Sequence, residues 1–218
     1  MSLVADIFVL SEKKYQGAKN LPVIVFDYYD KEISLDPYDA LIFTSKNGVK
    51  ALDAINACWK AKPVYSIGSG TSKAVRELGG EIVYEAKSSY GDNFAEEIKS
   101  HLFGKRVLFL RPKVVTSSLN TILEDAGVLL DEEVIYETKC NDCKKLQRPP
   151  EGSYIIFSSP STIECFMNCF DWDESYTAIV IGEKTASFMP DDIPYVLSEK
   201  QTIPACIALA REKAQSRK

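Results

Sequence analysis

Four short segments carry residue types that could hold an anion. They are Thr44-Ser45-Lys46-Asn47, Gly68-Ser69-Gly70-Thr71, Ser158-Ser159-Pro160-Ser161 and Gly182-Glu183-Lys184-Thr185. Glycine lets a backbone turn tightly and approach a ligand. Amides at a helix start bind carboxylate or phosphate, and hydroxyls add donors. The candidate binding residues are therefore Thr44, Ser45, Lys46, Gly68, Ser69, Thr71, Ser159, Ser161, Gly182, Lys184 and Thr185. Each hydroxyl also has an everyday reading. Serine and threonine are common helix N-caps, and a proline in the first turn, as in Ser159-Pro160, is ordinary. The occurrence of two such segments in each half of the chain is what favours binding. Arg111 ends an apolar run, and is either a cleft cation or a solvated strand end. Tyr136 reads as an amphipathic core residue or, being neutral at pH 7, as a proton donor.

Other chemistries are poorly supplied. Gly68-Ser-Gly70 lacks the third glycine of a dinucleotide fingerprint, and no Walker A sequence is present. There is no serine nucleophile elbow and no metalloprotease motif. His101 is the only histidine, so a histidine-rich metal site is excluded. Cys140 and Cys143 form a C-x-x-C, and Cys165 and Cys169 lie four apart on an expected helix. That spacing mimics a zinc site. The apolar run Tyr154–Phe157 between the pairs suits a domain core better, so the reading is free thiols, partly buried.

The elements that must position these residues alternate along the chain. Strands are expected at Val4–Leu10, Pro22–Tyr28, Ala40–Thr44, Val64–Ile67, Glu81–Glu85, Arg106–Leu110, Val128–Tyr136, Tyr154–Phe157, Ala178–Ile181 and Pro194–Leu197. Helices are expected at Asn47–Trp59, Thr71–Leu78, Asn93–Leu102, Thr116–Asp125, Ser161–Phe170, Lys184–Met189 and Ile203–Ala214. Such alternation makes βαβ units and parallel sheets. Ile42-Phe-Thr-Ser45 and Ile67-Gly68 have counterparts 114 residues on, in Ile156-Phe-Ser-Ser159 and Ile181-Gly182, which points to two similar folding units. The second copy ends without a strand-helix-strand piece that the first copy has, and Val4–Tyr28 is expected to supply it. The fold class is therefore α/β, with two similar doubly wound parallel-sheet domains joined by a two-stranded linker and one domain formed from both chain ends. The expected boundaries are 1–33 with 139–218, a flavodoxin-like domain, and 34–138, an inserted one. A ligand cleft is expected between them.

Composition bounds the partners. The 218 residues are 45% hydrophobic and 26% charged, as in ordinary globular chains, which excludes a disordered or fibrous protein. No apolar run approaches the ~20 residues that cross a bilayer, so no membrane partner is expected. A net charge of −5 leaves no basic footprint for nucleic acid. With no export signal visible, a reducing cytoplasm is the expected location.

Several segments, in this order and spacing, resemble the uroporphyrinogen-III synthase family over nearly the whole chain. They are Leu41-Ile-Phe-Thr-Ser-Lys-Asn-Gly-Val49, Ser66-Ile-Gly-Ser-Gly-Thr71, Val107-Leu-Phe-Leu-Arg111, Val134-Ile-Tyr-Glu-Thr138, Ile156-Phe-Ser-Ser-Pro-Ser161 and Ile181-Gly-Glu-Lys-Thr185. The resemblance implies two α/β domains on a two-stranded ladder. It implies a lyase that closes the linear tetrapyrrole hydroxymethylbilane, with loss of water and inversion of ring D, without cofactor or metal and as a monomer. It also implies that Tyr136 is the catalytic candidate, and that Ser45, Thr71, Ser159, Ser161 and Thr185 line the site. Two departures stand out. Pro112 follows Arg111 where a glycine is usual, and Thr116 stands where a basic residue is usual, with Lys113 as the nearest replacement. Met189-Pro190 implies a short helix in the second unit. The rival reading is a non-catalytic two-domain module for a small anion. A Rossmann-like nucleotide enzyme is disfavoured by the missing phosphate loop.

Overall fold

A computed structural model describes residues 6–86, 90–115 and 117–216. The chain divides into two compact units. Unit 1 is formed by residues 1–25 with 139–218, and unit 2 by residues 26–138.

Unit 2 is built on the strands β3 (Ile24–Tyr28), β4 (Ala40–Phe43), β5 (Val64–Ile67), β6 (Ile82–Ala86), β7 (Arg106–Pro112) and β8 (Leu129–Cys140), in the sheet order β3-β8-β7-β4-β5-β6. The pairs β8-β7, β7-β4, β4-β5 and β5-β6 are parallel. Its helices are α1 (Lys46–Ile55), α2 (Gly68–Glu77), α3 (Gly91–Leu102) and α4 (Leu119–Asp125). Alternate residues of a strand face opposite ways. Leu41, Phe43, Leu108 and Leu110 accordingly pack with Val49, Leu52 and Val75 of α1 and α2. Ala40, Ile42, Val107 and Phe109 pack with Phe94, Ile98, Leu119 and Leu123 of α3 and α4. A parallel sheet covered on both faces needs strands that are apolar throughout, which is how β4 and β7 read.

Unit 1 has the order β11-β10-β9-β1-β2, from β1 (Ile7–Val9), β2 (Lys19–Asn20), β9 (Tyr154–Phe157), β10 (Thr177–Val180) and β11 (Tyr195–Leu197), all parallel. One face packs Phe8, Ile155, Phe157 and Val180 with Ile163 and Phe166 of α5 (Pro160–Cys169) and Ala186 of α6 (Glu183–Ala186). The other packs Ile7, Val9, Ile156 and Ile179 with Cys206, Ile207 and Ala210 of α7 (Ile203–Ser216).

The two sheet orders correspond when β9, β10 and β11 are set against β4, β5 and β6, and β1 and β2 against β7 and β8. The chain ends thus supply to unit 1 what the middle supplies to unit 2. The correspondence is incomplete, because no helix joins β1 to β2 among the described residues. The unit boundaries fall inside β3 and β8, which are neighbours in the six-stranded sheet.

The cysteines correct the free-thiol expectation. Cys140 bonds to Cys165 and Cys143 to Cys169, leaving Cys58 and Cys206 as thiols. The reason is topological. The segment after β8 runs against α5, and Cys165 and Cys169 stand one helical turn apart on it, opposite the C-x-x-C.

Candidate active site

In open parallel sheets, ligands meet the carboxyl ends of strands, where helix N-termini point. In unit 2 the adjacent strands β8, β7, β4 and β5 bring Tyr136, Arg111, Thr44-Ser45-Lys46 and Gly68-Ser69-Gly70-Thr71 to that one edge. The register sets Tyr136 beside Pro112 and Val134 beside Arg111.

Tyr136 is 3% exposed. Its ring lies against Phe26 and Tyr28, with centroids 6.4 and 6.5 Å away. Burial pushes its phenol above the ordinary value, while a hydrogen bond from the Ser45 side chain pulls the other way by favouring the phenolate, and Tyr28 raises it further. Ser45 has a second task as N-cap of α1, where Oγ accepts the Asn47 amide at 3.2 Å. Gly48 lies in the first turn of α1, close against β7 and Tyr136, and its role was not legible in the sequence. A methyl group there would stand 3.2 Å from the Leu110 carbonyl and 3.6 Å from the Tyr136 ring. The tight contact is with the Leu110 carbonyl, so a side chain there would press α1 and β7 apart by a few tenths of an ångström, whereas the Tyr136 ring would meet it at ordinary van der Waals distance.

The start of α2 is built differently. No side chain caps it. Gly68 holds a φ of +71°, a left-handed conformation that L side chains rarely adopt, and neither Gly68 nor Gly70 would meet any atom within 4 Å if given a methyl group. The helix begins with uncovered backbone, the form that admits an anion. Thr71 behind it is buried and Ser69 is exposed.

Arg111 is half-buried in β7. Its guanidinium pairs with Glu132 and donates to the Pro112 carbonyl at 3.1 Å. It lines an open hollow of about 420 Å³ with Phe109, Lys113 and Asn120. Lys113 pairs with Glu137 at 3.0 Å. Thr116 lies outside the described residues.

Unit 1 offers a similar edge on β9 and β10. Ser159 caps α5 in a capping box with Thr162, and its hydroxyl lies 3.0 Å from that of Ser161. Thr185 is buried beneath the Gly182-Glu183-Lys184 turn, and the Gln201 side chain packs against Gly182. The short α6 agrees with the expectation from Met189-Pro190. The structure thus uses Ser45 and Ser159 as caps, while leaving the Gly68–Gly70 backbone open.

Two doubly wound parallel sheets, each with glycine and hydroxyl turns at its carboxyl edge, define a two-unit α/β protein. Comparison with known proteins makes this specific. The sequence model of the family described as "Uroporphyrinogen-III synthase HemD" matches residues 20–208, and the chain belongs to that family. The crystal structure of uroporphyrinogen-III synthetase from Helicobacter pylori is similar at 31% identity and a TM-score of 0.83, over 96% of this chain and 99% of that one. A mutant uroporphyrinogen III synthase from Thermus thermophilus shares the fold at 10% identity and a TM-score of 0.60, over 98% and 100% of the two chains. The "Porphyrin biosynthesis protein HemD" of Ruminiclostridium josui is 30% identical over an alignment 189 residues long that covers 78% of this chain and 37% of that protein. The match thus spans just over a third of that relative's length.

Proposed function

We propose that this chain closes hydroxymethylbilane to uroporphyrinogen III, with inversion of ring D and loss of water. The observation that carries the reading is the Tyr136–Ser45 pair at the carboxyl edge of unit 2, beside the open backbone of Gly68–Gly70. A phenol held neutral by burial is a proton donor across the physiological range. It protonates the hydroxyl that the electron-rich pyrrole expels, giving water. The Ser45 hydrogen bond stabilises the phenolate so formed, which takes back the proton released on ring closure. The step balances without an electron acceptor. The larger task is conformational, because the linear substrate also closes unaided without inversion, and the protein must hold one folded geometry. The carboxylate side chains of the substrate are the handles for the turns at Ser45 and Gly68–Thr71, which bind by amide and hydroxyl.

This way of binding anions fits a net charge of −5, since amides supply positive potential without lysine. Among the described residues no helix is long and apolar enough to cross a membrane. We take the protein to act as a cytoplasmic monomer on this small molecule and not on nucleic acid. The test is to supply hydroxymethylbilane and resolve the isomers formed. Type III product in excess is expected. Type I product alone, at the spontaneous rate, would sink the reading and leave the small-anion module.

A further inference from the structure

The four cysteines that bridge β8 to α5 are not used by the proposed reaction. Both bridges join the same two short segments, Cys140–Cys143 and Cys165–Cys169. The Cα atoms within each bridge are 5.0 Å apart. Residues four apart on a helix share a face, with Cβ atoms about 5–6 Å apart. The Asn168 side chain and carbonyl reach both bridges, at 3.7 Å from the Cys140 sulfur and 3.9 Å from the Cys143 sulfur. Four sulfurs are therefore gathered in one patch, from a C-x-x-C turn and a C-x-x-x-C helix face. Tetrahedral zinc at ~2.3 Å from each thiolate needs sulfurs about 3.8 Å apart, and a C-x-x-C turn facing a C-x-x-x-C helix face supplies four such ligands from two short segments.

We propose that the reduced form of this patch is a structural tetrathiolate site for a thiophilic divalent cation of the zinc class. The oxidised form described here cannot take a metal, and no group of three or more His, Cys, Asp or Glu side chains among the described residues is arranged to hold one. Interconversion is balanced. Each disulfide takes two electrons and two protons from a dithiol reductant, which becomes a disulfide itself, and the metal then displaces four protons from the four thiols. Access differs along the patch. Cys140 is exposed, so its bridge is open to the reductant, whereas Cys165 is 2% exposed and is reached through Cys140. The doubly negative metal–thiolate group lies next to Lys144 and Lys145, which follow Cys143 in a short 3-10 turn (Cys143–Lys145). In either form, the same four residues fasten the segment after β8 to α5, by covalent bonds when oxidised and by metal when reduced. Disulfide and zinc thus replace each other as the redox poise changes.

The test uses the full chain, reduced with a dithiol under metal-free conditions and titrated with Co²⁺ alone. One Co²⁺ per chain is expected, with thiolate charge-transfer absorption and the intense visible bands of a tetrahedral site, both abolished by Zn²⁺. The oxidised protein should take up none. Cys143→Ser and Cys169→Ser should each weaken uptake about tenfold or more, and Cys58→Ser should leave it unchanged. Zn²⁺ should also raise the thermal midpoint of the reduced parent and not of the oxidised one. A fully reduced, folded parent that shows no tetrahedral cobalt spectrum would overturn the proposal. So would uptake that survives in both serine variants. Thiol counting by alkylation and mass, with circular dichroism, establishes that the sample is reduced and folded. The readout is metal binding, so its failure leaves the isomer assay untouched.

Discussion

At the scale of single residues, the proposed site turns on a buried phenol and what touches it. Tyr136→Phe removes one oxygen from a well-packed ring, so the fold should survive. Turnover should fall about a hundredfold or more with little change in KM, the size expected for loss of a general acid. Steady-state kinetics on the type III product measures this, and unchanged turnover would remove the catalytic role. The same variant carries a pH signature. The folded-state pKa of Tyr136 lies above the ordinary 10.0. Its contribution to stability is complete below that value and is lost as the pH climbs from about 10 through the folded pKa, because the unfolded chain ionises first. Denaturation followed from neutral to alkaline pH should show the parent losing more stability than Tyr136→Phe. The sequence made Tyr136 and Ser45 visible as types and as family positions. It could not show that one bonds the other, because that contact joins α1 to a strand ninety residues away. Nor could it show Gly48, whose importance lies in the atoms it lies against and not in any motif.

At the scale of elements, the start of α2 separates conformation from contact. Gly68→Ala meets no atom but must hold a left-handed backbone, at a cost of about 1–2 kcal/mol. Gly70→Ala also meets no atom and sits in helix, where alanine is the better residue by up to about 1 kcal/mol. Urea midpoints should therefore fall for Gly68→Ala and hold or rise for Gly70→Ala. If substrate carboxylates approach this turn, Gly70→Ala should raise KM while remaining stable, and an unchanged KM would place the substrate elsewhere. Most elements were legible because burial on both faces imposes apolar runs, and β4, β5, β7, β9 and β10 fall within a residue or two of where those runs lie. The expected strand-helix-strand at the N-terminus was not recovered in full. Residues 11–18 are polar and form turns, β2 has only two residues, and the second expected strand joins the other sheet as β3. A segment at a sheet edge is weakly specified by its own pattern, since only one side of it is paired.

At the scale of the whole molecule, the division of the chain predicts which part can stand alone. Unit 2 is one continuous segment with two core clusters drawn from residues 33 to 136. Unit 1 closes only when β1, from the start of the chain, enters between β9 and β2. Ile7, Phe8, Val9, Leu10, Leu21 and Val23 are all buried there. At about 1.5–3 kcal/mol for each such side chain, their loss is comparable to the entire ~5–15 kcal/mol that holds a typical domain folded. Deleting residues 6–23 should therefore unfold unit 1 and spare unit 2. Limited proteolysis should degrade residues 139–218 and leave a resistant core near residues 26–138, whose isolated form should give a dispersed NMR spectrum. A deletion protein that resists proteolysis throughout would mean that β9, β10 and β11 hold together without β1. The division of one chain into an enclosed unit and a unit made of its two ends would then carry no energetic consequence.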